Sequence, residues 1–421
     1  MKNIYMNICG GVTTTEISEN ERDYSECLLS NNRIKGRVDM IDITKEQREI
    51  VVYGTGLNAV KWVFDFEDKG KEIKYFLNTD SRMDTLCGKA VYSPGIGNLR
   101  NKFVVVAVSS VQIYLDISRK LQQYGLREFE DYIYYRWIDK QIVLIHGNCH
   151  MQIVRRFLES SKLFLREYVV YPNPAICDNK QGEINEAALK NCDILIHQEI
   201  RQENQFGYKF SDEYIRTKIK KGVFEIIVPN LFGLGKAFFP HSSVNSNNCL
   251  LRNGQDLSGM FPHADSVIDC GYKQGKKLEE IISFAKSNAA IDKNTVLQNF
   301  DIYMKKIKDR EQTCDIKIYD YILEHYKNEK LFYDSGHPTN SIIRKYAVDI
   351  LQMLGINDEN IYSEVKLDMH EVPVYPVIKE YLGLEWKEEN MRESSHAKKM
   401  RETMKLEEYI YEYLWWCYGY K

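Results

Sequence analysis

The sequence predicts an α/β protein of two doubly wound parallel-sheet domains, a small one followed by a larger one. Three observations carry this. Short apolar runs at 49–54 and 141–146 each end in a glycine-led turn. Each turn is followed by a stretch with helical apolar spacing, and the alternation repeats through 49–137 and again through 141–355. The 421 residues exceed what one ordinary core holds, so two domains with appendages are expected.

Composition narrows the class. Hydrophobic residues make up 44% and charged residues 28%, as in soluble globular proteins. A net charge of −3 gives no basic field for nucleic acid. The 29 tyrosines fit a sugar-stacking surface or an aromatic core equally well. No apolar run reaches the roughly 18 residues of a membrane span. Residues 1–10 carry one lysine and no apolar h-region, so no signal peptide and a cytoplasmic location are expected. Ten cysteines without a C-x-x-C pair point to free thiols and to no metal site.

Residues 1–48 read as a polar preamble without assignment. The strand at 49–54 leads into Gly54-Thr55-Gly56-Leu57-Asn58-Ala59, then a helix with Val60, Trp62 and Val63. A second strand at 73–77 ends near Asn78 and Asp80. Strand, glycine-rich turn, helix, strand and acid is the order of a phosphate-binding unit. Gly54, Gly56, Ala59 and Asp80 are therefore the candidate cofactor-binding residues. A third strand at 103–108 and a helix at 113–124, closed by Gly125, complete a domain over 49–137.

The larger domain, 138–360, opens with the strand 141–146 and the turn Gly147-Asn148-Cys149-His150. A helix with Ile153, Val154, Phe157 and Leu158 on one face follows. Strands are expected at 167–171, 194–197 and 224–228, and more weakly at 267–269, with a helix at 186–190 and a long helical section over 276–328. Residues 331–333 lead into Asp334-Ser335-Gly336-His337-Pro338-Thr339-Asn340 and a closing helix to Gly355. The extension 361–421 ends in an aromatic-rich helix, expected to dock within the chain or between subunits.

In open parallel sheets, ligands gather at the carboxyl ends of the strands. The turn at 147–150, Gln198, Asn230 and 334–337 all fall there. Cys149, between a strand and a helix, sits as a nucleophile elbow presents its side chain. The helix N-terminus is expected to lower its thiol pKa. Asp334 and His337, three apart, can place a carboxylate on one imidazole nitrogen and leave the other for a reacting group. Asn148, His150, Gln198 and Asn230 are candidate oxyanion or substrate contacts. His146 and His197 read as core histidines, so a metal site with Cys149 is not expected.

The blocks G-T-G-L-N-A, L-N-T-D, G-K-A-V-Y-S-P and V-V-V-A-V-S-S resemble a small Rossmann-like module that precedes bacterial sugar-modifying enzymes. That resemblance implies a nucleotide-sugar ligand. In the larger domain, G-N-C with D-S-G-H-P resembles the SGNH hydrolase superfamily and implies a three-layer α/β/α fold. There Cys149 stands in place of serine and Asn148 in place of aspartate, while Asp334 and His337 match directly. No G-x-N-D block occurs, so the usual oxyanion asparagine is not identified. A closer resemblance, over roughly 141–352, is to the WcbI-like family of polysaccharide-biosynthesis acetyltransferases. It rests on G-N-C, D-I-L-I-x-Q, V-P-N-L-F and H-P-T. It implies O-acetyl transfer from acetyl-coenzyme A to a glycan or sugar intermediate of a surface polysaccharide such as a capsule. Asn230, Phe232, Lys236, Phe238 and His241 then become candidates to line an acceptor or cofactor groove. An SGNH-like esterase or deacetylase, and a non-catalytic glycan- or nucleotide-binding protein, are the rival expectations.

Overall fold

The computed structural model describes residues 43–80, 83–177, 184–244, 261, 263–367, 372–387 and 405–419. The polar preamble therefore lies outside the described residues up to residue 42, as does much of the extension.

The first sheet has six strands: β1 (Glu49–Tyr53), β2 (Ile73–Leu77), β3 (Thr85–Leu86), β4 (Lys89–Tyr92), β5 (Lys102–Val106) and β6 (Tyr132–Tyr134). Their order is β3-β4-β2-β1-β5-β6, parallel except for the short β3–β4 pair. Helices α1 (Leu57–Glu67), α2 (Ile96–Leu99) and α3 (Val111–Gln123) supply crossovers. The central β1 buries Val51 and Val52 completely, as a strand paired on both edges and covered on both faces must. Ser110 caps α3, its side-chain oxygen accepting from Ile113 N at 3.2 Å. Gly125, at φ 82°, follows the helix end.

The second sheet, β7 (Gln141–His146), β8 (Tyr168–Val170), β9 (Ile194–Gln198) and β10 (Phe224–Val228), runs β10-β9-β7-β8 and is parallel throughout. Helices α4 (Cys149–Ser160), α5 (Phe164–Glu167), α6 (Glu186–Asn191) and α7 (Asp212–Lys218) connect its strands. Alternation along β7 sorts two cores. Val143 and Ile145 join α4 residues Ile153, Val154 and Phe157. Ile142 and Leu144 join Ala188, Leu189 and Ile215 in a core continuous with the first sheet. The result is the expected two-domain α/β fold.

One buried carboxylate ties the halves together. Glu128 accepts hydrogen bonds from Tyr114 of α3, from Tyr171 at 2.9 Å and from Asn185 at 3.0 Å. Burial pushes its pKa up against these donors.

The remaining elements differ from the sequence reading in three places. The strand expected at 267–269 is the first turn of α8 (Ser266–Lys273). Asp265 caps that helix, accepting from Val267 N at 3.0 Å and Ile268 N at 3.1 Å. An antiparallel pair that the sequence reading did not assign, β11 (Ser242–Val244) and β12 (His263–Asp265), precedes it. The helical section is three helices, α9 (Leu278–Ala285), α10 (Lys293–Glu311) and α11 (Tyr319–His325). Residues 331–333 join no sheet and meet only an isolated bridge between Phe332 and Pro338. Helix α12 (Asn340–Met353) then covers α4, and α13 (Pro376–Leu382) follows.

The C-terminal helix α14 (Leu406–Tyr418) docks on its own chain. It buries Tyr409, Ile410, Tyr413 and Leu414. Tyr413 and Tyr418 each donate to Asp269 Oδ1 at 2.8 Å, and the Tyr418 ring stacks on Tyr272 at 4.0 Å. Among the described residues no helix is long and apolar enough to cross a membrane.

Candidate functional site

The carboxyl ends of β7, β9 and β10 meet at one turn. Gly147, at φ 156°, passes so close to β9 that a Cβ there would lie 2.6 Å from Met151 Cγ and 2.8 Å from Gln198 Oε1. The next residue, Asn148, donates its backbone N–H to Gln198 Oε1 at 3.0 Å and its side-chain amide to Asn230 Oδ1 at 3.2 Å. Its own Oδ1 caps α4 by accepting from His150 N at 2.9 Å. Asn148, Gln198 and Asn230 thus hold the turn, and the His150 N–H expected as an oxyanion donor is already engaged. Gln198 Nε2 is buried and has no hydrogen-bond partner among the described residues.

The loop after 333 brings the second half. Asp334 is fully buried and organises the loop around itself. Its Oδ1 accepts from Gly336 N at 2.6 Å and His337 N at 2.8 Å, and its Oδ2 lies 2.8 Å from His337 Nδ1. Burial opposes the ionised carboxylate, but hydrogen bonds from His263 and His337 outweigh it and hold the group well below the usual carboxylate range. Burial likewise opposes a charged His337, and the bond to Asp334 outweighs it and raises the imidazole pKa. Gly235 packs directly on this loop. A Cβ there would lie 2.3 Å from the Asp334 carbonyl oxygen.

Cys149 begins α4 facing this loop. Its Sγ, a His150 ring nitrogen and a His337 ring nitrogen all lie within 4.8 Å of one another. The three atoms are close enough together to share a metal ion, with the thiol a soft donor, as are one ligand atom each of His263, Asp334 and His337, a harder set. The His150 ring is buried, with Nε2 3.1 Å from Gly336 O, and burial pushes its pKa down to about 3. It is neutral and structural in character.

Two residues escaped the sequence reading. His263 of β12 sits with Nε2 3.4 Å from Asp334 Oδ2 and Nδ1 3.3 Å from Ser335 Oγ. Cys177, beyond the end of β8, hydrogen-bonds the Cys149 thiol, and its segment is tied to the turn by Ile176 N donating to Gly147 O at 2.9 Å. The Cys177 contact, then burial, pushes the Cys149 thiol up. This reverses the lowering expected from the helix N-terminus, because that dipole is weaker than the Cys177 contact and the loss of solvent together. The only advance signal for Cys177 was a cysteine just past a strand end on the same sheet edge. His263, some seventy residues from Asp334, had none.

Other candidates lie elsewhere. Phe238 is core, stacked on Phe332 at 5.7 Å, and His241 is fully buried against Tyr375 at 4.3 Å. Burial pushes His241 down to about 3. Lys236 is half-buried, its carbonyl accepting from Asn299. Of that segment, Asn230 and Phe232 reach the site, the Phe232 ring lying over Gly336. His146 and His197 are core, as expected. His146 bonds Phe210 O at 2.9 Å, and His197 pairs with Asp212 and Glu225. In the first sheet, Gly54 and Gly56 line a pocket of about 450 Å³ with Asn78 and Thr79. Ala59 is buried in the core instead, where it lets α1 approach the sheet, and Asp80 is exposed outside the lining.

Residues 142–359, just over half of the chain, match the family described as polysaccharide biosynthesis enzyme WcbI. The chain belongs to the WcbI family. A solved WcbI structure, described as a novel polysaccharide biosynthesis enzyme, aligns with a TM-score of 0.52 and 16% identity, covering 67% of this chain and 91% of that one. That structure is the native protein without a disulfide bond between coenzyme A and one of its cysteines. A comparison with curated proteins gives no match. The family assignment makes this chain an enzyme of polysaccharide biosynthesis, and every residue of the Cys149–Asp334–His337 grouping falls inside the matched span.

Proposed function

We propose that this WcbI-family enzyme is an acyltransferase, moving an acetyl group from acetyl-coenzyme A to a hydroxyl of a glycan or sugar intermediate. The observation that carries the reading is the approach of Cys149 Sγ to within 4.8 Å of a His337 ring nitrogen whose ring is anchored by Asp334. In this reading 138–360 is an SGNH-like catalytic domain and 49–137 a Rossmann-like domain that recognises a nucleotide-sugar or similar carrier. The location is cytoplasmic.

Coenzyme A, when bound, supplies an activated acyl thioester. The residues present suit such a group. The buried Gln198 Nε2, at the end of β9, has no partner among the described residues and is a donor for a carbonyl oxygen, while its Oε1 holds the turn that carries the Cys149 thiol. The solved WcbI relative, described with reference to a coenzyme A–cysteine disulfide, supports the pairing of coenzyme and cysteine.

Asp334 fixes the His337 tautomer, with Nδ1 bearing the proton toward the carboxylate. The other ring nitrogen would take the proton of the attacking sugar hydroxyl and return it to the departing coenzyme A thiolate as the thioester C–S bond gives way to the new ester C–O bond. The elevated thiol pKa keeps Cys149 protonated at neutral pH, which favours direct attack by the hydroxyl over a prior acyl-cysteine. Cys149 then orients the reacting groups, and Gln198 stabilises the developing oxyanion.

The test is calorimetric titration of acetyl-coenzyme A into the wild-type, Cys149→Ala and His337→Ala proteins, beside release of free coenzyme with sugar acceptors. Binding retained in both variants, with turnover lost in His337→Ala, is expected. Absence of binding to the wild type overturns the transferase reading.

A further inference from the structure

A cleft of about 930 Å³ lies away from Cys149, where the two sheets' units meet, between α3 and the 134–140 segment on one side and α4 and β8 on the other. Among the described residues lining it, Arg136, Lys140, Arg155 and Arg156 face one carboxylate, Glu159. Glu159 is already taken by Arg155 at 2.9 Å. Among the described residues Arg136 bonds only neutral groups, Tyr135 Oη at 3.0 Å and Ser109 O at 3.1 Å. Lys140 donates to the carbonyls of Leu165 and Arg166. Arg156 is exposed and has no ion-pair partner among the described residues. The chain as a whole is acidic, with a net charge of −3, so this concentration of unneutralised cations is local and not a property of the surface at large.

The glycine-turn pocket offers less to an anion. It lies on the other flank of α3, lined by Ile113, Asp116 and Lys120, so its one lysine is matched by one aspartate. Its remaining attraction is the backbone N–H groups at the start of α1.

We infer that the cleft between α3 and α4 binds the phosphate or diphosphate of a phosphorylated sugar. Guanidinium groups fork onto phosphate oxygens, and Tyr135, half-buried on the rim, offers a flat ring to a sugar face. The cleft also connects to the reacting residues. Helix α4 starts at Cys149 and carries Gln152, Arg155 and Arg156 on the cleft. Arg156 is about 10 Å along the axis from Cys149 at 1.5 Å per residue. The loop after β8 lies between, with Asn173 and Pro174 on the cleft and Cys177 on Cys149. A phosphate gripped at Arg156 leaves the sugar directed toward the reacting end of the helix. The inference names the acceptor class of the proposed transfer and rests on that reading for the sugar. The anion preference stands on the cleft alone.

The full-length protein is titrated calorimetrically with glucose 1-phosphate, UDP-glucose and unphosphorylated glucose. Arg156→Glu is the cleft variant, Tyr135→Ala a second one, and Lys305→Glu, at an exposed lysine of α10 outside both pockets, a charge-matched control. Gly56→Val reports on the glycine-turn pocket. The expected result is binding of one or both phosphorylated sugars, none of glucose, a loss of at least tenfold in Arg156→Glu, a smaller loss in Tyr135→Ala, and no change in Lys305→Glu. Tighter binding of UDP-glucose points to the diphosphate source, and equal binding points to the sugar phosphate. No binding at millimolar concentration, or loss in Gly56→Val with Arg156→Glu unaffected, overturns the inference. Acetyl-coenzyme A is titrated into the same proteins. If it loses affinity in Arg156→Glu and competes with UDP-glucose, the cleft belongs to the coenzyme and the inference fails. If it binds nowhere while the sugars bind, the transferase reading fails and the cleft assignment stands.

Discussion

His337 Nδ1 and Asp334 Oδ2 lie 2.8 Å apart at the end of a loop in which Asp334 also takes the backbone N–H groups of Gly336 and His337. The carboxylate therefore sets the ring's position and tautomer together. Its bond raises the His337 pKa above the ordinary value near 6.5. A general base acts when neutral, so activity should rise with pH through that elevated pKa. Asp334→Asn removes the negative charge and reverses the preferred tautomer. We expect the rate to fall by roughly 10³-fold or more, with the acidic limb of the residual profile moving to lower pH. An unchanged limb, read from the pH dependence of kcat/KM, would show that His337 is not the titrating base.

The Cys149 thiol is held up first by its contact with Cys177 and then by burial. Cys177→Ala removes the larger cause. Alkylation of Cys149 by iodoacetamide at pH 7.5 should accelerate, and the pH midpoint of its reactivity should fall. Peptide mapping separates this site from Cys270, an exposed free thiol that serves as an internal reference. Equal or slower modification of Cys149 in the variant would remove Cys177 as the cause.

Much of the site was legible because parallel sheets impose a simple rule. Gln198 ends a strand and Cys149 and Asn230 closely follow one, and register does the rest by pairing His146 with His197 and Gln198 with Val228. Asp334 and His337 were readable from local spacing, although no sheet strand precedes them. His263 and Cys177 come from segments with no periodic signal, and only tertiary packing brings them in. Phe238 and His241 were misplaced because a sequence does not say which face of a short irregular segment turns inward. The run at 267–269 was ambiguous for the same physical reason as any brief apolar stretch, and the Asp265 cap decided it as helix. Ala59 was read as a ligand contact when its small size serves helix–sheet packing.

Two glycines carry different loads, and substitution separates them. A Cβ at Gly54, φ 132°, would lie 2.5 Å from the backbone oxygen of Ala107, which cannot swing away. At Gly147 the obstacles are side-chain atoms of Met151 and Gln198. Gly147→Ala should cost about 1–3 kcal/mol and also displace Gln198 Oε1 from the Asn148 N–H. Gly54→Ala should cost more, while Gly56→Ala should be close to neutral. Denaturant midpoints check the order. A Gly54→Ala protein as stable as Gly56→Ala would show that β5 is free to move away from β1.

His197 lies buried between Glu225 Oε1 at 2.7 Å and Asp212 Oδ1 at 3.2 Å. Burial disfavours its charge, but the two carboxylates outweigh that and push its pKa up to about 9. The folded value is above the unfolded value near 6.5. Its contribution to stability is therefore fully present below pH 6.5 and is lost as pH rises through 9. Glu225, pushed down to about 2 chiefly by the bond to His197, contributes above its unfolded value and loses that as pH falls through 2. The stability gap between wild type and His197→Gln should be widest near pH 6 and should narrow steadily by pH 9.5. Glu225→Gln, which keeps the ring and removes one charge, provides the same comparison if the first variant does not fold. Urea midpoints measured across that range decide the matter, and a gap that stays constant with pH means His197 is neutral in the folded protein.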